Sequence, residues 1–136
     1  MKLEALPQCS GEAIYTNDVP PLNDEVFCAF VHGTVVGAEV EQIDASEALK
    51  IPGVIAFYSA KDIPGTNSFV YKPLGFTDDE PVFAQKINHH YQPIGVIVAE
   101  SNYLANKAAE KVKVMYSRAE KQVKATLKDA IESEDT

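Results

Sequence analysis

Residues 93–116 read Pro-Ile-Gly-Val-Ile-Val-Ala-Glu-Ser-Asn-Tyr-Leu-Ala-Asn-Lys-Ala-Ala-Glu-Lys-Val-Lys-Val-Met-Tyr, and three hydrophobic periods follow one another within them. Pro93 to Ala99 is a continuous apolar run rich in β-branched residues and too short for a buried helix, which predicts a central strand. Ser101 then suits a helix N-cap. Leu104, Ala105, Ala108, Ala109 and Val112 fall on one stripe at helical spacing, with Asn102, Lys107, Glu110 and Lys111 mainly outside it. The small alanines allow that helix to lie close against a sheet. Val112, Val114 and Tyr116 alternate with Lys113 and Met115, the period of two that marks a further strand.

Working outward, Val26 to Val31 (VFCAFV) is apolar throughout and reads as a strand buried on both faces, with Cys28 as a small core hydrophobe. Residues 35–43 (VVGAEVEQI) alternate, with Ala38 and Val40 on one face and Glu39 and Glu41 on the other, and predict a half-exposed strand. Asp44 and Glu47 have the spacing of a capping box and predict a short helix over Ala45 to Lys50, stopped by Pro52-Gly53 before a strand at Val54 to Tyr58. Strand, helix and strand in so few residues imply a compact α/β unit. Residues 11–24, with Gly11, Pro20, Pro21 and Asn23-Asp24, read as an extended entry loop, and Ala60 to Glu80 as a long surface loop, mobile or docked. Thr126 and Asp129 form a second capping-box pattern, which predicts a short terminal helix with Leu127, Ala130 and Ile131, followed by the acidic Glu132-Ser133-Glu134-Asp135.

The 136 residues suffice for one modest domain. Twelve basic against 20 acidic side chains give a formal charge of −8, which opposes binding to phosphate backbones and anionic lipid surfaces. Arg118 is the sole arginine, and the lysines are scattered. No apolar run approaches a membrane span, and Met1 to Pro7 lacks the stretch of a signal peptide, so a cytoplasmic location is expected.

Catalytic constellations fall short one by one. Gly33 and Gly37 lead into a strand, unlike a dinucleotide-binding turn, and there is no phosphate-binding loop. The adjacent His89-His90 would point to opposite sides of an extended chain, with no cysteine or third histidine nearby in sequence. Cys9 has no neighbouring histidine to activate it, although a small hydrolase using Cys9 with one of the histidines can be written down. Asp78-Asp79-Glu80 lacks the alternate spacing of a calcium loop. Cys9 and Cys28 cannot supply the four ligands of an iron–sulfur cluster. No catalytic, cofactor-binding or metal-ligating residue is therefore assigned.

An ordered set of segments nonetheless resembles the α/β hammerhead domain of the aldehyde oxidase and xanthine dehydrogenase family. It comprises Gly11-Glu12-Ala13-Ile14-Tyr15 with Asp18 and Pro20, Ile43-Asp44 with Glu47-Ala48-Leu49, Pro52-Gly53-Val54, and Asp62 to Asn67. Val82-Phe83-Ala84, Gln92 to Val96, Ala99, Ala105, Ala108-Ala109, Val112-Lys113-Val114 and Tyr116 continue it. Pro7 to Tyr15 and Gly95 to Glu100 look more like an aldehyde oxidase, an insect one especially. Where members usually carry glycine before the glutamine, this chain has Tyr91. After Tyr116, Ser117-Arg118-Ala119-Glu120 replaces the usual acidic and proline residues.

The resemblance implies an α+β fold, an α/β hammerhead with a mixed sheet, two main helices and a long loop, over residues 7–132, with 1–6 and 133–136 flanking it. It also implies a larger, homodimeric molybdenum hydroxylase that acts on aldehydes or N-heterocycles through molybdopterin, 2Fe-2S clusters and FAD. In that enzyme the hammerhead is structural, its partners are the other domains of the parent chain, and no catalytic residue carries over. The alternative is a self-standing, non-catalytic interaction or ligand-binding module. As an inter-domain scaffold, the chain should show exposed apolar patches or disorder in the entry loop, the Ala60–Glu80 loop and the C-terminal tail.

Overall fold

A computed structural model describes residues 4–70, 74, 75, 80–117, 124 and 126–133. The elements run α1 (Ala5–Ser10), β1 (Phe27–His32), β2 (Val40–Asp44), α2 (Ser46–Leu49), β3 (Val54–Ser59), β4 (Pro93–Ala99), α3 (Asn102–Ala109), β5 (Lys113–Tyr116) and α4 (Leu127–Glu132). The fold is α+β. Its described strands pair antiparallel and divide in two: a three-stranded sheet of order β1-β4-β3 and a two-stranded ribbon of β2 with β5.

The apolar run at 93–99 is the central strand, as its composition predicts. Ser101 caps α3, its Oγ accepting from the Leu104 amide at 3.3 Å. Ala105 clusters with Ala29 and Ala99 of the sheet and Ala108 with Val31 and Ile97, and Ala99, Ala105 and Ala108 are wholly buried. Because these alanines carry only a methyl group, helix and sheet approach closely. The larger apolar side chains, Ile87, Ile94 and Ile97, fill the adjoining core with Val31 and Ala84. Ile94 and Gly95 sit where the register with β1 shifts between Val31 and His32. That irregularity lets Ile94 join Ile97 inside although three positions separate them.

Residues 84–87 join the ribbon to the sheet. The amides of Gly37 and Val40 donate to the carbonyls of Ile87 and Gln85, the Ile87 amide donates to Ala38, and the Ala84 amide donates to Pro93. Asn67 pins the long loop at a single point. Its Nδ2 donates to the Phe83 carbonyl at 2.7 Å and its Oδ1 accepts from the Phe83 amide at 2.9 Å. Here the loop is docked; its residues 71–73 and 76–79 lie outside the described residues.

Several local expectations are corrected. Val35 to Gly37 form a turn with Gly37 at φ 82°, and the strand begins only at Val40. The in–out alternation from Ala38 to Glu41 is present, but Ala38 and Glu39 are held by residues 84–87 rather than by a regular ladder. The capping box at Asp44 and Glu47 does not form. Asp44 ends β2, so its Oδ1 reaches the nearer Ser46 amide at 2.9 Å, while Glu47 pairs with Lys50 at 2.7 Å and α2 shrinks to Ser46–Leu49. The entry loop contains a 3₁₀ turn over Thr16–Asp18, closed by Asp18 accepting from the Tyr15 amide. The Thr126–Asp129 box is formed as expected.

Tyr91 occupies the turn before β4 at φ 61°, the left-handed region that suits glycine. Three hydrogen bonds hold it there. Its amide donates to the Gly33 carbonyl, the Gly33 amide donates to the Gln92 carbonyl, and Gln92 Oε1 accepts from the Asn88 amide. Gln92, only 3% exposed, thus fastens the turn from within.

Three expectations follow from this packing. A methyl group at Gly95 would lie 2.6 Å from the Phe57 ring and 2.8 Å from the Tyr58 carbonyl oxygen. Gly95→Ala should therefore cost about 1–3 kcal/mol in denaturant unfolding, and an unchanged midpoint would contradict the tight seam. At position 91 the backbone decides: Tyr91→Val should lose about 1–2 kcal/mol, whereas Tyr91→Gly should stay within about 1 kcal/mol of the parent. Equal losses for both would mean that the ring, rather than φ, governs the turn. The bonds from Ser46 hold the Asp44 carboxyl below its usual 3.8. Its contribution is full above that value and fades as pH falls through the lower folded value, so the Ser46 amide should lose hydrogen-exchange protection only in that acid range.

Candidate functional site

The residues singled out for chemistry are scattered. Cys9 is exposed on α1. Cys28 is exposed as well, against the expectation of a core thiol, because strand alternation turns Ala29 and Val31 toward the core and Cys28 and Phe30 away from it. His89 and His90 lie in the turn before β4, where His89 Nδ1 is 3.1 Å from the His90 carbonyl. Asp78, Asp79 and Arg118 lie outside the described residues, and Glu80 is engaged through its carbonyl by the Phe69 amide. Gly33 packs against Ile87, not at a helix N-terminus. Among the described residues, no group of three His, Cys, Asp or Glu side chains stands where it could hold a metal ion. No buried polar side-chain atom among them lacks a partner.

A cleft of about 470 Å³ opens between β1, α3 and β5. Its aromatic wall is built by Phe30, His32 and Tyr91: the His32 and Tyr91 rings meet edge to face at 5.6 Å, and Phe30 lies 6.2 Å from His32. On the opposite wall, the Tyr116 hydroxyl accepts from the Thr34 amide at 3.1 Å, which ties β5 to the end of β1. A smaller cleft of about 250 Å³ lies between β2 and β3 beside Lys61. Neither joins a nucleophile to a base. The first is an open, aromatic-walled groove.

A more extensive feature is the face of the β1-β4-β3 sheet opposite α3. Register aligns Phe30 with Val96 and Tyr58, and Cys28 with Val98 and Ala56. Phe30 and Tyr58 are each about half exposed, as is Ile55 beside them. None of these residues is charged. The sequence reading missed this face because it treats VFCAFV as covered on both sides; the described fold covers one. Among the regions expected to be exposed, the entry loop shows Ile14 and Leu22, and α4 shows Leu127 and Ile131, all more than two-thirds exposed, as is Leu6 on α1. Phe69 and Leu74 are similarly bare in the long loop. None of the described helices is long and apolar enough to cross a membrane.

Comparison with known proteins places this arrangement. Residues 10–120 match the family described as aldehyde oxidase and xanthine dehydrogenase, a/b hammerhead domain. Xanthine dehydrogenase/oxidase of Gallus gallus is 36% identical over 97% of this chain, aldehyde oxidase 2 of Mus musculus 37% over 96%, and xanthine dehydrogenase of Calliphora vicina 41% over 94%. The chain spans only 9% of the length of each. Among solved structures, the aldehyde oxidoreductase from Desulfovibrio desulfuricans superposes with a TM-score of 0.78 at 25% identity, covering 95% of this chain and 15% of that one. The Desulfovibrio gigas aldehyde oxidoreductase gives 0.74 at 29% identity, covering 85% of this chain and 14% of that one. With the family matched across most of its length and the same α+β architecture, the chain belongs to the aldehyde oxidase and xanthine dehydrogenase family, in the region of its a/b hammerhead domain.

Proposed function

We propose that residues 7–132 serve as the structural hammerhead domain of a larger, cytoplasmic molybdenum hydroxylase that oxidises aldehydes or N-heterocycles, and that this chain is inactive by itself. The observation carrying this reading is the pairing of a family match along nearly the whole chain with a span of about a tenth of the relatives' length. Pro7 to Tyr15 and Gly95 to Glu100 favour an aldehyde oxidase within the family, while relatives of both names match at similar identity.

The family implies molybdopterin, 2Fe-2S clusters and FAD in the parent. This chain's donors do not fit them. A 2Fe-2S cluster requires four ligands, and Cys9 and Cys28 are the only cysteines, one on α1 and one in the middle of β1. Pterin and flavin phosphates call for a cradle of backbone amides, commonly glycine-rich. Gly33 is instead filled against Ile87, and Gly95 lies within a strand under the Phe57 ring. No redox or proton-transfer step is therefore assigned to these residues. Their part is to pack: the domain presents apolar surface on its arms, in its cleft and on its sheet face. The parent is proposed to be a homodimer, with other domains of the same chain as the partners of this one.

A second reading, a self-standing interaction module, draws on the same exposed surfaces. The coding sequence on either side separates the two: cluster, flavin and pterin segments are expected there, and stop signals immediately around these 136 residues would favour the module. On the purified 136-residue chain, aldehyde-dependent dye reduction and bound molybdenum should both be nil. Genuine turnover would overturn the structural assignment.

A further inference from the structure

We propose that the cleft between β1, α3 and β5 binds a small arylalkylammonium ion, a protonated primary amine joined by a short chain to one aromatic ring. Such a site is independent of the hammerhead reading, for it would serve a domain inside a longer chain or one that stands alone.

The cleft has two unlike walls. On one side Phe30, His32 and Tyr91 make an aromatic wall, with the His32 ring 5.6 Å from Tyr91 and 6.2 Å from Phe30; Phe30 is half exposed and Tyr91 more so. Their π faces carry the negative side of the ring quadrupole and attract a second ring or a cation. On the other side stand Asn106 and Glu110, four positions apart and so on one face at the C-terminal end of α3. Asn106 Nδ2 donates to the Asn102 carbonyl at 2.8 Å and to Asn102 Oδ1 at 3.0 Å, which leaves the Asn106 side-chain carbonyl unused. Glu110 gives Oε2 to Lys107 at 3.2 Å and keeps Oε1.

What remains for a ligand is chiefly acceptors. Tyr116 and Thr34 are engaged with each other, and the His32 imidazole, which has no hydrogen-bond partner among the described residues, accepts at one nitrogen when neutral. The cleft also lies at the negative end of the α3 dipole. Among the described residues no lysine or arginine lines it, and the chain as a whole carries −8. An anion is opposed on each count. A primary ammonium, rich in N–H donors, suits Asn106 and Glu110 while its ring lies on Phe30 and Tyr91. The volume of about 470 Å³ is ordinary for a small-ligand site.

The test uses the full-length native protein and phenethylammonium near neutral pH, with binding measured by equilibrium dialysis and saturation-transfer NMR. The dissociation constant should fall below about 5 mM, with ethylammonium, which lacks the ring, at least about tenfold weaker and the anion hydrocinnamate unbound. Two variants locate the site. Glu110→Gln removes the charge, and Tyr91→Gly removes a ring at a position whose positive φ suits glycine. Both side chains are exposed, so neither change opens the core. Each should weaken phenethylammonium by about threefold or more, whereas Glu41→Gln, beside the smaller cleft, should leave it unchanged. Equal binding by the parent and both variants would place the ligand elsewhere and overturn the proposal. Ethylammonium or hydrocinnamate binding as tightly as phenethylammonium would overturn it too. So would no binding at all, the result expected if another part of the chain fills the cleft. None of these outcomes touches the hammerhead reading, which is decided by the flanking coding sequence.

Discussion

The close approach of α3 to the sheet is the contact on which the rest of the domain depends. Ala105 on the helix meets Ala29 and Ala99 on the strands, Ala108 joins Val31 and Ile97, and the small alanine side chains let the helix settle across both β1 and β4. This placement decides which side chains are inside. Cys28 and Phe30, which alternate with Ala29 and Val31 along β1, are therefore exposed while Ala29 and Val31 are buried. The same seating directs the chain after α3 into β5, which pairs with β2 and brings Tyr116 to the end of β1.

From that contact the molecule is built asymmetrically. On one side of the sheet lie α3, the core isoleucines and the connecting segment 84–87, which binds ribbon to sheet through main-chain hydrogen bonds. On the other side Phe30 and Tyr58 are about half exposed and Val96 between them is half-buried. A helix can shield only one face of a three-stranded sheet, and the described portions of the two arms carry their own apolar side chains outward.

Most elements were legible from local patterns. The strand at 93–99, the Ser101 cap, the alanine stripe and the Thr126–Asp129 box depend on interactions within a few residues, so composition and spacing suffice to find them. The failures have a shared cause as well. At Asp44 two local hydrogen bonds compete for one carboxylate, and the end of β2 favours the Ser46 amide over a helix cap. The alternation is present only from Ala38 to Glu41; Val35 to Gly37 turn instead, with the Gly37 amide bonded to the Ile87 carbonyl, 50 residues away in the chain. Tyr91 gives no local sign of a left-handed turn. Only the hydrogen bonds from Gly33 and Gln92 impose one, at the position where the family pattern has glycine.

The sequence by itself determined the order of the principal elements, which follows from residue type and short-range spacing, and the family and fold class, which follow from the likeness of an ordered set of segments along the chain to a known domain. Tertiary structure alone decided which face of β1 and β4 is covered, where the long loop is pinned and how an aromatic residue is held at positive φ. Residues apolar on both faces of a strand carry no mark of which face a helix will take. That choice is made by contacts such as Ala29 with Ala105 and Asn67 with Phe83, whose partners are far apart in the chain and meet only when it folds.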